Sequence, residues 1–257
     1  MPFDFVELDE AKTRDGMRMV VVPGLPSPWG EAAKGILHIK KIPWVAVRLN
    51  AGSDEMAEWM GGARSGPVAV YNDEPPRSGW AEILLLTERV GFEPALLPED
   101  AADRAMVMGL SYEICGEMGL GWCRRNAGTH SGLKGEGGFP KEIAAYLANK
   151  YGYREEESDE YQRRVLAILG VLSARLEAQK AAGSSFLVGS TVTAADIYCA
   201  TFMALFKPLP PDQCPMPDAI RVGFEAMDTA TAAALTPSLL AHRDFIYEEY
   251  LELPMTL

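Results

Sequence analysis

The chain has 257 residues, 36 of them acidic and 24 basic, for a formal net charge of −12. Hydrophobic residues make up 48% and charged residues 23%, a globular composition that excludes a disordered chain and leaves room for one or two domains. The acidic balance argues against nucleic acid, whose phosphates are met by excess Lys and Arg, and against adhesion to an anionic membrane surface.

The N-terminus carries no basic n-region and no apolar h-region, so no signal peptide is expected. No run of about 18 apolar residues occurs either, and a cytoplasmic protein with reduced thiols is the expectation. Arg18 to Val22 is a short apolar run closed by Pro23-Gly24 and predicts a buried strand. Ser27-Pro28 opens a helix through Lys41, because Ser suits the N-cap and Pro the first helical position. Pro43 ends that segment, and Trp44 to Leu49 predicts a second strand, so the order is strand, helix, strand.

Ser53 to Met60 predicts a short helix broken by Gly61-Gly62. Ser65 to Tyr71 reads as a strand reached through Pro67, and Asn72 to Pro75 as a turn. Trp80 to Arg89 has apolar residues at helical spacing, and the α/β block ends near Gly91.

The remainder reads as helical. Pro98 is expected to start a helix that runs past Cys115. Residues 124–138 are rich in Gly and polar residues and predict a mobile loop or lid within a long connection over 124–157. Ser158 opens a helix with Tyr161, Val165, Ile168, Leu169, Leu172 and Leu176 on one face, and Gly183 is placed to end it. Thr193-Ala194-Ala195-Asp196 is a variant capping box: the Thr193 hydroxyl would accept from the Asp196 N–H while the Asp196 carboxylate accepts from Thr193 N–H. Val192 and Ile197 occupy the hydrophobic-staple positions. Two last helices are expected after Asp218 and after Thr236-Pro237.

These elements and their motifs resemble the cytosolic glutathione transferases, in a divergent serine-type form. Ser27-Pro28-Trp29 is similar to the Ser-Pro-aromatic start of the first helix in serine-type members. Lys41-Ile42-Pro43-Trp44 is similar to the segment leading into their second strand, and Gly66-Pro67-Val68 stands where the family has a cis-proline. Arg77-Ser78 resembles the pair that opens the third helix, and Thr193 to Ile197 the capping box of the helical domain. The sequence departs from the family pattern at Gly66, at Arg77 and in residues 79–83. The resemblance implies a thioredoxin-like N-terminal α/β domain over residues 1–92 and an all-α C-terminal domain over 98–257. It also implies glutathione as co-substrate, a homodimer and a role in detoxification.

The implied chemistry is conjugation of the glutathione thiolate to a small hydrophobic electrophile. Ser27 is the candidate catalytic residue, since a hydroxyl at a helix N-terminus favours the charged sulfur; its alternative reading is a plain N-cap. The first tyrosine is Tyr71, and the four cysteines (Cys115, Cys123, Cys199 and Cys214) all lie beyond the first 114 residues. No redox thiol therefore stands at this helix start, which disfavours thioredoxin-like disulfide chemistry. Pro67, if cis, would turn the Gly66 and Val68 backbone towards an extended peptide. Ser78 is a candidate for the γ-glutamyl carboxylate, and Arg64 or Arg77 for a glutathione carboxylate, with a solvated surface charge as the alternative for either arginine. Trp29, Met108, Tyr112, Cys115 and Trp122 are candidates for the second-substrate pocket, with ordinary helix core as the alternative for each. No metal is expected, because three histidines and no C-x-x-C pair make a closed zinc site a poor reading. A transferase-like protein that binds ligand with little or no catalysis is the competing function.

Overall fold

The computed structural model describes residues 4–255 and 257. Its sheet has four strands: β1 (Phe5–Val6), β2 (Met17–Val21), β3 (Trp44–Arg48) and β4 (Val68–Tyr71), in the order β1-β3-β2-β4. β3 runs parallel to both β1 and β2, whereas β4 is antiparallel to β2. The register pairs Val20 with Val47 on one side and with Val68 on the other. Beyond β4 the edge is extended by two hydrogen bonds between Ala69 and Arg77, of 2.9 and 2.8 Å.

Every residue of β2 is buried, as a strand covered on both faces must be. Its alternate side chains serve different layers. Met17, Met19 and Val21 pack with Ala33 and Leu37 of α2 (Pro28–Ile39) and with Ile83 and Leu86 of the helix after the sheet. Val20 packs on the opposite face with Ala11, Met56 and Met60. The expected strand–helix–strand unit, the short helix Asp54–Trp59 and the helix Trp80–Val90 are all present. Strand β1 and the helix Leu8–Thr13 are additional to the sequence reading.

In order, the helices are α1 (Leu8–Thr13), α2, α3 (Asp54–Trp59), α4 (Trp80–Val90), α5 (Ala101–Cys115), α6 (Leu120–Lys134), α7 (Lys141–Tyr151), α8 (Ser158–Ala181), α9 (Ala194–Phe202), α10 (Asp218–Glu225), α11 (Thr229–Ala234) and α12 (Pro237–Tyr250). Four expectations need correction. The fifth helix starts at Ala101 rather than at Pro98, because Asp100 Oδ1 accepts from the N–H groups of Ala102 and Asp103, each at 2.9 Å, and it ends at Cys115 instead of running past it, with Gly116 as its extended C-cap. Residues 124–138 are not a loop or lid: α6 runs through them to Lys134, and α7 occupies residues 141–151 of the supposed long connection. The last part holds three helices rather than two, α11 being the extra one. The fourth correction concerns the cap of α9, below.

The glycines of α6 that signalled a loop are close-packing positions. A Cβ on Gly128 would lie 3.1 Å from the Phe139 ring. One on Gly132 would lie 2.5 Å from the Phe139 carbonyl oxygen, a backbone atom that cannot swing aside. Local propensity thus lost to tertiary contact.

Helix α9 is buried along its whole length. Its Asp196 carboxylate accepts from the N–H groups of Leu187 (2.7 Å) and Thr193 (2.8 Å) and from the Thr193 hydroxyl (2.8 Å). One arm of the expected box is therefore reversed: the Thr193 hydroxyl donates to Asp196, and the Asp196 N–H goes to the Thr193 carbonyl at 3.1 Å. His242 Nε2 lies 3.3 Å from the other carboxylate oxygen.

Asp196→Ala strands three buried donors and is expected to lower stability by about 3–5 kcal/mol in denaturant unfolding; a loss under about 1 kcal/mol would contradict the assignment. Two glycine replacements should have opposite signs. Gly109→Ala on α5, where a Cβ meets nothing within 4 Å, should gain up to about 1 kcal/mol from helix propensity. Gly132→Ala should lose about 1–3 kcal/mol by overpacking.

Candidate functional site

Ser27 occupies the N-cap of α2 with extended backbone (φ −65°, ψ 122°). Its N–H donates to the Leu25 carbonyl and its carbonyl accepts from Glu31 N–H, each at 2.8 Å. Its side chain makes no capping hydrogen bond. The plain N-cap alternative for Ser27 thus lacks the hydrogen bond that defines it. Ser27 lines a cavity of about 400 Å³ between the α/β domain and the helices.

The sheet side of this cavity is formed by the loop after β2 (Val22, Leu25 and Ser27) and the loop after β3 (Leu49 and Ala51). The helical side comes from Arg125 on α6, from Phe139, from α7, and from Ile220 and Phe224 on α10. Helix α7 contributes Ile143, Tyr146, Leu147, Lys150 and Tyr151. The wall is largely apolar, with Ser27 on the sheet side and two cations, Arg125 and Lys150, on the helical side, and among the described residues no Asp or Glu lines it.

Burial lowers the pKa of the Arg125 guanidinium, although Tyr151 opposes the shift. Burial also raises the Tyr151 hydroxyl, opposed by Arg125, so the phenol stays protonated at neutral pH. Lys150 is lowered, first by desolvation and then by the like charge of Arg125. A larger cavity, of about 480 Å³, mixes both signs of charge (Arg124, His130, Asp159 and Asp228) and borders no residue before Arg124.

The five residues expected in the second-substrate pocket do not line this cavity. Trp29 and Trp122 stand one layer behind it, packing on Tyr151 with ring centroids 6.1 and 5.2 Å away. Trp29 Nε1 donates to the Cys115 carbonyl at 3.0 Å, and Cys115 itself is core. Met108 packs against the helical core, and Tyr112 is half exposed beside Trp80. The residues that do line the helical wall lie mostly in the segment read as a loop. The signal that finds them is the i, i+4, i+7, i+8 spacing of Ile143, Leu147, Lys150 and Tyr151.

The candidate glutathione contacts sit at the β4 end of the sheet. The Gly66–Pro67 bond is cis. Gly66 leaves no room for a side chain, since a Cβ there would lie 2.8 Å from the Val20 carbonyl oxygen. Val68 is buried against Val20. Both arginines already face carboxylates: Arg64 pairs with Asp54 at 2.5 Å and Arg77 with Glu74 at 3.2 Å. Ser78 is exposed and precedes the Gly79 N-cap of α4, whose N–H donates to Glu82 Oε2 at 3.0 Å.

All four cysteines are buried. Burial pushes the thiols up, to about 12 for Cys123 and about 11 for Cys214, and raises Cys115 and Cys199 too. A thiol held protonated is a poor nucleophile. Titration with a disulfide reagent near neutral pH should therefore find no fast-reacting thiol in the folded protein and four after unfolding; one fast thiol in the native state would contradict this.

Residues 139–216 match the family model described as "Glutathione S-transferase, C-terminal domain". No curated protein sequence matches the chain. Among solved structures, the fold is similar to a glutathione S-transferase from Methylobacterium radiotolerans in complex with glutathione sulfonate, with TM-score 0.62, 17% identity and 91% of each chain covered. A glutathione transferase family member from Pseudomonas fluorescens with two glutathione bound gives TM-score 0.63 and 15% identity over 95% of this chain and 97% of that one. A rice GST in complex with glutathione gives 0.59 and 18%, with 94% of each chain covered. No helix among the described residues is long and apolar enough to cross a membrane.

Proposed function

We propose that this chain, related to the glutathione S-transferase superfamily through its fold and its matched helical segment, is a glutathione transferase whose thiolate is stabilised by Ser27. The observation that carries the reading is Ser27 itself, at the N-terminus of α2 with no side-chain capping bond and lining a largely apolar cavity between the two domains. The tripeptide backbone would lie along Gly66, Pro67 and Val68, with its sulfur at Ser27. The second, largely apolar substrate would enter the cavity.

A free thiol has a pKa near ~8.5. A hydrogen bond to its charged form is worth about 1.5–3 kcal/mol, roughly one to two pKa units at 1.36 kcal/mol per unit. The N-terminus of α2 adds about 0.3–1 kcal/mol. Together these make the thiolate the main form near neutral pH. It attacks the electrophilic carbon, a C–S bond forms, the leaving group departs with its electron pair, and the thiol proton goes to solvent.

A cytoplasmic homodimer acting in detoxification is part of the same reading; a monomer by sedimentation would contradict the dimer. The second reading, ligand binding with weak or no catalysis, is favoured by the state of the carboxylate subsites. Arg64 and Arg77 are engaged by the chain's own acids, and Glu82 holds the Gly79 N–H where a γ-glutamyl carboxylate would compete.

Calorimetry with glutathione and turnover of a nitroaryl halide separate the two. The transferase reading predicts binding at millimolar concentration or tighter. It also predicts a loss of about 10–100-fold in kcat/KM for Ser27→Ala, with stability within about 0.5 kcal/mol of the parent. Binding with no turnover would leave the ligand-binding reading; no detectable glutathione binding at millimolar concentration, or full activity in Ser27→Ala, would refute the transferase mechanism and favour that second reading.

A further inference from the structure

Most buried or half-buried cations here face a carboxylate or a set of carbonyls, as Lys40 faces Glu88, Arg164 faces Glu113, and Arg124 donates to the carbonyls of Leu205, Phe224 and Ala226. Arg125 and Lys150 differ. Among the described residues neither has a carboxylate partner, although the chain carries 36 acidic residues. The Arg125 guanidinium carbon sits 4.6 Å from the centroid of the Phe224 ring and 5.8 Å from that of Phe139. Its Nε is buried and has no hydrogen-bond partner. Lys150, exposed at the rim of the same cavity, lies with Nζ 5.7 Å from the Tyr151 ring centroid.

The two ring contacts and a hydrogen bond to the neutral Tyr151 hydroxyl hold the guanidinium in place, while Trp29 and Trp122 hold the Tyr151 ring from behind. A neutral apolar ligand filling this cavity would strip water from a fixed cation and return nothing, a costly arrangement. A ligand with an anionic group supplies the missing counter-charge and hydrogen-bond acceptors.

We propose that the second substrate is an amphipathic anion: an aromatic or apolar body seated against Phe139, Phe224 and Leu147, with a carboxylate or sulfonate held by Arg125 and attracted by Lys150. This rests on the reading that the cavity beside Ser27 receives the second substrate. It narrows the expected small hydrophobic electrophile to one that carries charge. The cations stand on the helical wall, whereas Gly66, Pro67 and Val68, assigned to the tripeptide, do not line this cavity.

The test compares two dyes with one aromatic body: anilinonaphthalene sulfonate and uncharged N-phenylnaphthylamine. Fluorescence titration of the parent protein should show the sulfonate dye binding about tenfold tighter or better, the scale of one charge-assisted hydrogen bond. Arg125→Gln should abolish that preference while neutral-dye binding stays within about twofold. Lys150→Gln should weaken only the sulfonate dye, by a smaller factor, and as a rim substitution it keeps the test open should Arg125→Gln fail to fold. Equal binding of the two dyes by the parent, or an equal loss of both in Arg125→Gln, would overturn the proposal. So would competitive displacement of the sulfonate dye by glutathione, since the cations would then serve the tripeptide's carboxylates. A protein that shows the dye preference yet binds no glutathione by calorimetry would retain the anion site and refute the transferase reading alone.

Discussion

The position of the Ser27 hydroxyl depends on how closely α2 can approach α9. Helix α2 faces two cores at once: Ala33 and Leu37 pack on the sheet, while Ala32 and Ile36 pack with the helical domain. At Gly35 the same helix also meets the chain just after α12: a Cβ there would lie 2.5 Å from the Leu251 side chain and in ordinary contact, 3.7 Å, with Ile197 of α9. On the other side of that contact, Asp196 fixes the start of α9 by taking three buried donors. The C-terminal segment completes the clamp, with the Leu257 carbonyl accepting from Gly24 N–H at 2.5 Å in the loop that carries Ser27. The helix that presents the hydroxyl is thus held by the sheet, by α9 and by the chain end together.

This clamping explains how a cavity can persist next to a well-packed interface. The loops after β2 and β3 form one wall and α6, α7 and α10 the other, each anchored in its own core. The polar groups on these walls are separated, a hydroxyl on the sheet side and cations on the helical side. A chain with net charge −12 keeps the lining free of carboxylates. That separation suits a reaction in which one wall stabilises a thiolate and the other orients the partner it attacks.

Much of the α/β domain was legible in the sequence because its signals are local. Short apolar runs bounded by Pro and Gly give β2 and β3, Ser-Pro gives the start of α2, and Gly61-Gly62 gives the end of α3. Gly128 and Gly132 of α6 misled because glycine signals both a turn and a close approach, and only the tertiary partner, the ring and backbone of Phe139, decides which. That one ambiguity hid the helical wall of the site, whereas the expected pocket residues fall on α2 (Trp29), on α5 (Met108, Tyr112 and Cys115) and on α6 (Trp122), behind or away from the cavity. Ser27 was legible as an N-cap by type and place. Its lack of a capping bond is a matter of side-chain geometry that no sequence pattern carries.

The central claim is that Ser27 donates to a glutathione thiolate. Ultraviolet difference titration of the bound glutathione sulfur measures this directly. The account predicts a thiol pKa lowered by roughly one to two units from ~8.5 on the parent protein, and restored most of the way in Ser27→Ala. Indistinguishable midpoints in the two proteins would contradict it.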